Sequence, residues 1–126
     1  MAKVFKIWVD DTREPPSDPS WLWFRTVNAT IYYLEWLFQC EKEEVVLVFD
    51  LDHDAGAFHS DGGDYIKILD WLEEKEVPNI LVHFHSMNPV GVENMRRIVK
   101  RNQRDKGWRE FLGYRELRQY LKDLEK

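Results

Sequence analysis

Residues 44–49, EVVLVF, are apolar at nearly every position, and the run leads straight into Asp50, Asp52 and Asp54 with His53 among them. Consecutive apolar residues, rather than alternating ones, mark a strand of a parallel sheet covered on both faces. Residues 4–10 (VFKIWVD), 21–27 (WLWFRTV) and 79–86 (NILVHFHS) read as further strands from their β-branched and aromatic content. Between them the apolar spacing lengthens to that of helices. Asn28 is the expected cap of a helix to Cys40, with Ile31, Leu34 and Phe38 on its buried face and Cys40 in the core. Residues 64–76 place Tyr65, Ile68 or Leu69, and Leu72 on one face, and Val77-Pro78 ends that helix. Asn88-Pro89 opens another as N-cap and first helical residue, with Val92, Met95 and Val99 inward. Residues 113–126 form a closing helix on Tyr114, Leu117, Leu121 and Leu124.

Strands alternating with helices predict a three-layer α/β fold with a mostly parallel sheet, in one domain spanning residues 1–126. The fold is expected to be abbreviated. The stretch DDTREPPSDPS after the first strand carries no helical pattern, and no fifth strand is legible.

Composition narrows the function more than the fold. Hydrophobic residues at 44% and charged ones at 33% exclude a wholly disordered chain, and a net charge of −5 argues against a protein that coats a nucleic-acid backbone. With Cys40 the single cysteine there is neither an internal disulfide framework nor a thiolate-rich zinc site. The N-terminal residues lack a signal-peptide core, and no apolar run approaches the roughly 18 residues of a membrane span, so a cytoplasmic protein is expected.

In a parallel α/β sheet the ligand sits beyond the carboxyl ends of the strands. Three strands end in reactive groups: Asp10-Asp11, Asp50-Leu51-Asp52-His53-Asp54, and His85-Ser86-Met87-Asn88. Carboxylates 4 Å apart repel by about 4 kcal/mol at an effective dielectric of 20, so a cation is expected among them. Asp10, Asp11 and Asp52 are the candidate ligands of a divalent metal; oxygen ligands alone favour Mg²⁺, and His53 or His85 would bring in Mn²⁺. His53, His85, Asp52 and Asp54 are the candidate catalytic groups, because imidazole titrates near neutrality and a carboxylate can orient it. Arg13, Ser86 and Asn88, beside a helix N-terminus, are the candidate phosphate-binding groups. His83 lies one step deeper on the same strand face and reads as a core residue. The row Arg96, Arg97, Lys100, Arg101 and Arg104 reads as a solvated helix face, with guidance of a nucleotide as the alternative. Trp21 and Trp23 read as core, with base stacking the competing role. His59 remains open, and Gly62-Gly63 reads as a turn.

The order VDD, LDHDAG with GGDYIKILDWL, and HSMNPVGVENM resembles the cyclic-phosphate processing receiver-like family, related to response-regulator receiver domains, over residues 3–98. The resemblance implies a flavodoxin-like fold, with Asp10 and Asp11 as the acidic pair and Asp52 at the phosphoryl-acceptor position. It also implies a substrate: a phosphate ester of a nucleotide or RNA end, such as a 2′,3′-cyclic terminus or a cyclic nucleotide. The receiver's lysine after its fifth strand has no counterpart here. The added histidines point to a metal-dependent phosphoesterase rather than a switch. A receiver phosphorylated on Asp52 and a nucleotide-binding module without turnover are the competing expectations.

Overall fold

A computed structural model describes residues 3–17 and 20–124; two residues of the loop expected at 10–20 and the last two of the closing helix lie outside them. Five strands form one all-parallel sheet: β1 (Lys3–Val9), β2 (Leu22–Phe24), β3 (Val45–Leu51), β4 (Ile80–Phe84) and β5 (Arg109–Glu110). Their order, β2-β1-β3-β4-β5, is that of flavodoxin-like domains, in which the crevice between β1 and β3 is the switch point.

The alternation along each strand sorts two cores. Ile7, Val9, Leu47, Phe49, Leu51, Ile80 and Val82 meet the buried faces of α1 (Val27–Cys40), α2 (Ile66–Glu74) and α3 (Pro89–Arg101). Trp8, Val48 and Leu81 point the other way, toward Trp21, Phe111 and the Leu117 and Leu121 positions of α5 (Tyr114–Leu124). A four-residue turn of helix, α4 (Gln103–Lys106), precedes β5. The three layers are therefore unequal. No helix joins β1 to β2 among the described residues, and Trp8 and Trp21, packed edge to face at 6.0 Å, fill part of the space beneath α5's neighbouring strands.

Several sequence expectations need correction. The cap of α1 is Thr26, whose hydroxyl accepts from the Ala29 amide, a bond typically worth about 1 kcal/mol; Asn28 lies in the first turn and binds Asp61 instead. Leu34 and Leu37 are buried on α1, while Phe38 and Cys40 are exposed, because Leu37 and Phe38 both satisfy helical spacing from Leu34 and packing selects Leu37. The second strand keeps only three residues, because Arg25 already turns toward the cap. A fifth strand does exist. At two residues it is too short to leave a periodic signal, and it is held by Phe111 donating its amide to the Val82 carbonyl. Leu124 is 43% exposed rather than inward.

Two of the five cations in the basic row are tied to carboxylates. Arg96 makes a two-pronged pair with Glu110 (2.7 and 2.8 Å), and Arg101 does the same with Glu73 (2.6 and 2.7 Å). Those pairs brace α3 to β5 and α2.

Candidate active site

The carboxyl end of β1 places Asp10 and Asp11, that of β3 places Asp52, and parallel pairing brings them together: the Asp52 amide donates to the Val9 carbonyl at 3.0 Å. One oxygen from each of Asp10, Asp11 and Asp52 lies within 4.8 Å of the others. Asp10 is 3% exposed and held from three sides. Its Oδ1 accepts from the amides of Thr12 (2.9 Å) and Arg13 (2.7 Å), and its Oδ2 lies 2.8 Å from His85 Nε2. Burial works against its ionisation, but the two amides and His85 outweigh it and lower its pKa. For Asp11 the balance is reversed: burial, then the neighbouring Asp10 and Asp52, raise its pKa against a backbone hydrogen bond that lowers it.

The loop after β3 is shaped around this trio. Gly56 has φ +57°, and a Cβ there would overlap Asp11 Oδ2, so glycine lets the backbone approach the carboxylate. Tyr65 is buried behind the cluster, donating to the Arg25 carbonyl at 2.7 Å; burial and the charges of Asp11, Asp10 and Asp52 push its pKa up, so it stays a neutral donor. In the sequence Tyr65 stood out only as a helix-face residue, and the closed loop makes it and Gly56 neighbours of the acids.

β4 contributes a second layer. His85 is nearly buried, its Nε2 on Asp10 and its Nδ1 on Asp50 at 2.6 Å, with Trp8 stacked flat on the ring at 4.0 Å. Burial opposes protonation, but the hydrogen bonds and charges of Asp50 and Asp10 prevail and raise the His85 pKa above its ordinary value. His83 also faces Asp50, at 2.9 and 3.0 Å from its two oxygens. The sequence placed Asp50 among the carboxylates at the end of the strand; the structure sets it within β3, directly across from His83 in the register.

A cleft of about 250 Å³ opens above, lined by Asp10, Arg13, Asp52, Asp54, His85, Ser86, Met87 and Asn88. All but one of the expected site residues thus meet at this cleft or in the acidic trio. His53 stands beside the lining, its Nδ1 2.9 Å from Asp54 Oδ1 and its ring packed on Gly91, where a Cβ would overlap three ring atoms. The hydrogen bond from His53 lowers the Asp54 pKa against a smaller burial effect, and Asn88 adds to it. Asn88 is chiefly a cap: its Oδ1 accepts from the Gly91 amide at 2.9 Å and its Nδ2 reaches Asp54 at 3.3 Å. Ser86 Oγ accepts from the Asn88 amide at 3.1 Å. Arg13 is exposed at the mouth and held by its backbone, the carbonyl accepting from the Trp8 indole at 2.8 Å.

Trp21 and Trp23 serve the scaffold. The Trp21 indole donates to Tyr114 and the Trp23 indole to the Asp10 carbonyl. His59 is exposed, 3.9 Å from Asp64. Gly62 and Gly63 have φ +108° and +92°, as a turn requires.

An all-parallel sheet in this order, with an acidic pair after β1 facing an aspartate after β3, defines a receiver-like α/β domain. The description "Cyclic-phosphate processing Receiver domain" matches residues 5–101, and the chain belongs to that family. No curated protein and no solved structure matches it. Among the described residues no helix is long and apolar enough to cross a membrane.

The donor set fits a hard divalent cation. Three oxygens converge, the neighbouring carboxylates add to burial in raising the Asp11 pKa, and Gly56 keeps the approach to Asp11 free of a side chain.

Proposed function

We propose that the chain is a metal-dependent phosphoesterase that opens a cyclic phosphate, on an RNA 2′,3′-cyclic end or a cyclic nucleotide. The observation that carries this reading is the convergence of Asp10, Asp11 and Asp52 beside a small polar cleft, in a chain of the cyclic-phosphate processing receiver family. Such a site holds Mg²⁺ or Mn²⁺, which when bound neutralises phosphate charge and lowers the pKa of water.

The residues divide the remaining work. Arg13 and the Ser86 hydroxyl bind phosphate oxygens at the mouth, and Asn88 holds the first turn of α3 against Asp54. His53 and Asp54, paired at 2.9 Å, move protons at the cleft wall. His85 serves as a fixed link between Asp50 and Asp10, because both of its nitrogens are already engaged by carboxylates. Water adds to phosphorus, the bond from phosphorus to one ester oxygen of the ring breaks, and that oxygen takes up a proton. The product is a phosphomonoester. β5 is followed by buried Phe111 rather than a lysine, which counts against a phosphorylation switch built on Asp52.

Chromatography of 2′,3′-cyclic mononucleotides, 3′,5′-cyclic nucleotides and a cyclic-phosphate-ended RNA, each with Mg²⁺, Mn²⁺ or chelator, tests the proposal. Ring opening that needs the metal is the expected result. Survival of every substrate with every metal would leave the binding module as the better reading, and a stable acyl phosphate on Asp52 after incubation with a small phosphodonor would favour the receiver.

A further inference from the structure

Asp50 touches neither the cleft nor the acidic trio, yet it is the most enclosed charge in the described chain, with 0% exposure in the middle of the sheet. An aspartate buried there without a task is expensive, since desolvating a carboxylate costs several kcal/mol and is offset only by good partners. Asp50 has two. In the register of the sheet it lies directly between Trp8 of β1 and His83 of β4, on the face that α5 covers. His83 Nδ1 holds both of its oxygens from the side, and Tyr114 meets the His83 ring at 5.9 Å, so Asp50 cannot swing. Its Oδ1 then faces His85 Nδ1 at 2.6 Å.

The His85 ring is a rigid spacer with its second nitrogen on Asp10 Oδ2. Trp8, stacked at 4.0 Å and nearly parallel to it (5°), blocks rotation of the ring out of this plane. A continuous chain of side chains therefore runs from the sheet interior to the acidic trio: His83, Asp50, His85, Asp10. The amides of Thr12 and Arg13 hold Asp10 Oδ1, and His85 holds Oδ2.

We propose that Asp50 is a positioning residue which, through His85, fixes the Asp10 carboxylate in the orientation that receives the divalent cation. This inference rests on the metal-site reading above and extends it to a residue that never meets the metal. Outer partners of metal ligands commonly change affinity by about 10- to 100-fold when removed.

The test is Mn²⁺ binding to the full chain, read by electron paramagnetic resonance, together with the ring ¹⁵N–¹H signals of His85 in the cation-free protein. Asp50→Leu leaves His85 Nδ1 with no partner; it should weaken Mn²⁺ about tenfold and move both ring signals of His85. Asp50→Asn can still hold the ring by one neutral hydrogen bond, and should restore most of the affinity, leaving about a threefold loss. Melting curves of both variants separate positioning from loss of fold. Affinity within twofold of wild type in folded Asp50→Leu overturns the inference, as does unchanged affinity in Asp50→Asn where Asp50→Leu does not fold. Wild-type protein that binds no Mn²⁺ overturns the metal reading itself, and this inference with it. Mn²⁺ binding that is indifferent to Asp50 overturns the inference alone.

Discussion

The two ends of the sheet make opposite use of space. At the amino end a groove of about 550 Å³ is lined by Phe38, Val45, Trp71, Val77 and Pro78, with Phe38 and Trp71 stacked at 6.2 Å. At the carboxyl end the cleft has less than half that volume, but its walls carry three aspartates, an arginine and His85. By its apolar lining, and by a volume about twice that of the cleft, the groove would be the better candidate of the two for a ligand site. The chemistry says otherwise, because Asp10 and His85, each with charged partners and a shifted pKa, line the small cleft, and Asp11 adjoins it in the acidic trio. Volume measures how well the side chains fill space; convergence of charge at a strand end measures function.

That contrast can be broken in several ways. The largest effect should come from Asp52→Asn, which removes a proposed ligand: metal-dependent ring opening should fall by more than the roughly 100-fold typical of outer partners. Residual activity within tenfold, by the same chromatographic assay, would move the chemistry elsewhere. Gly91→Ala tests the wall. The new methyl must displace the His53 ring, so turnover should fall about tenfold with a loss of roughly 1–3 kcal/mol in urea unfolding, as for overpacked sites. Phe38→Ala tests the groove. It should cost about 1 kcal/mol, since Phe38 is only partly buried, and leave turnover within twofold of wild type.

The smallest effect concerns pH, far from the cleft. The hydrogen bonds from Arg101 lower the Glu73 pKa to about 2 despite partial burial, with Asn102 adding to it. A carboxylate with a depressed folded-state pKa contributes stability above its unfolded value of 4.5, and that contribution disappears as pH falls from there through about 2. Glu73→Gln should therefore flatten the acid limb of a thermal-stability profile over this window and leave the neutral-pH rate unchanged.

Much of this site was legible because strand ends can be read from a sequence. An apolar run that stops at an acid locates Asp10, Asp11 and Asp52 without any knowledge of pairing. What stayed hidden depends on register or on loop closure. Asp50 reads as one of the strand-end carboxylates until β3 is aligned with β4, and only then does His83 prove to be its partner rather than an isolated core residue. His85 was expected to shuttle protons, yet both nitrogens are engaged, something spacing along β4 cannot show. The cap of α1 was misread because Asn28 is as good a cap by type as Thr26, and its face because Leu37 and Phe38, three and four residues after Leu34, both fit helical spacing. β5 escaped because two residues have no period.

The most direct test of the central claim is an NMR spectrum of the ¹⁵N-labelled protein titrated with substoichiometric Mn²⁺. A paramagnetic ion held by the acidic trio should broaden the amides of Asp11, Thr12, Asp52, His53 and Gly56 first, and leave those of Phe38, Trp71 and Val77 at the opposite end of the sheet sharp. Broadening centred on the groove, or spread evenly over the exposed carboxylates, would contradict the account.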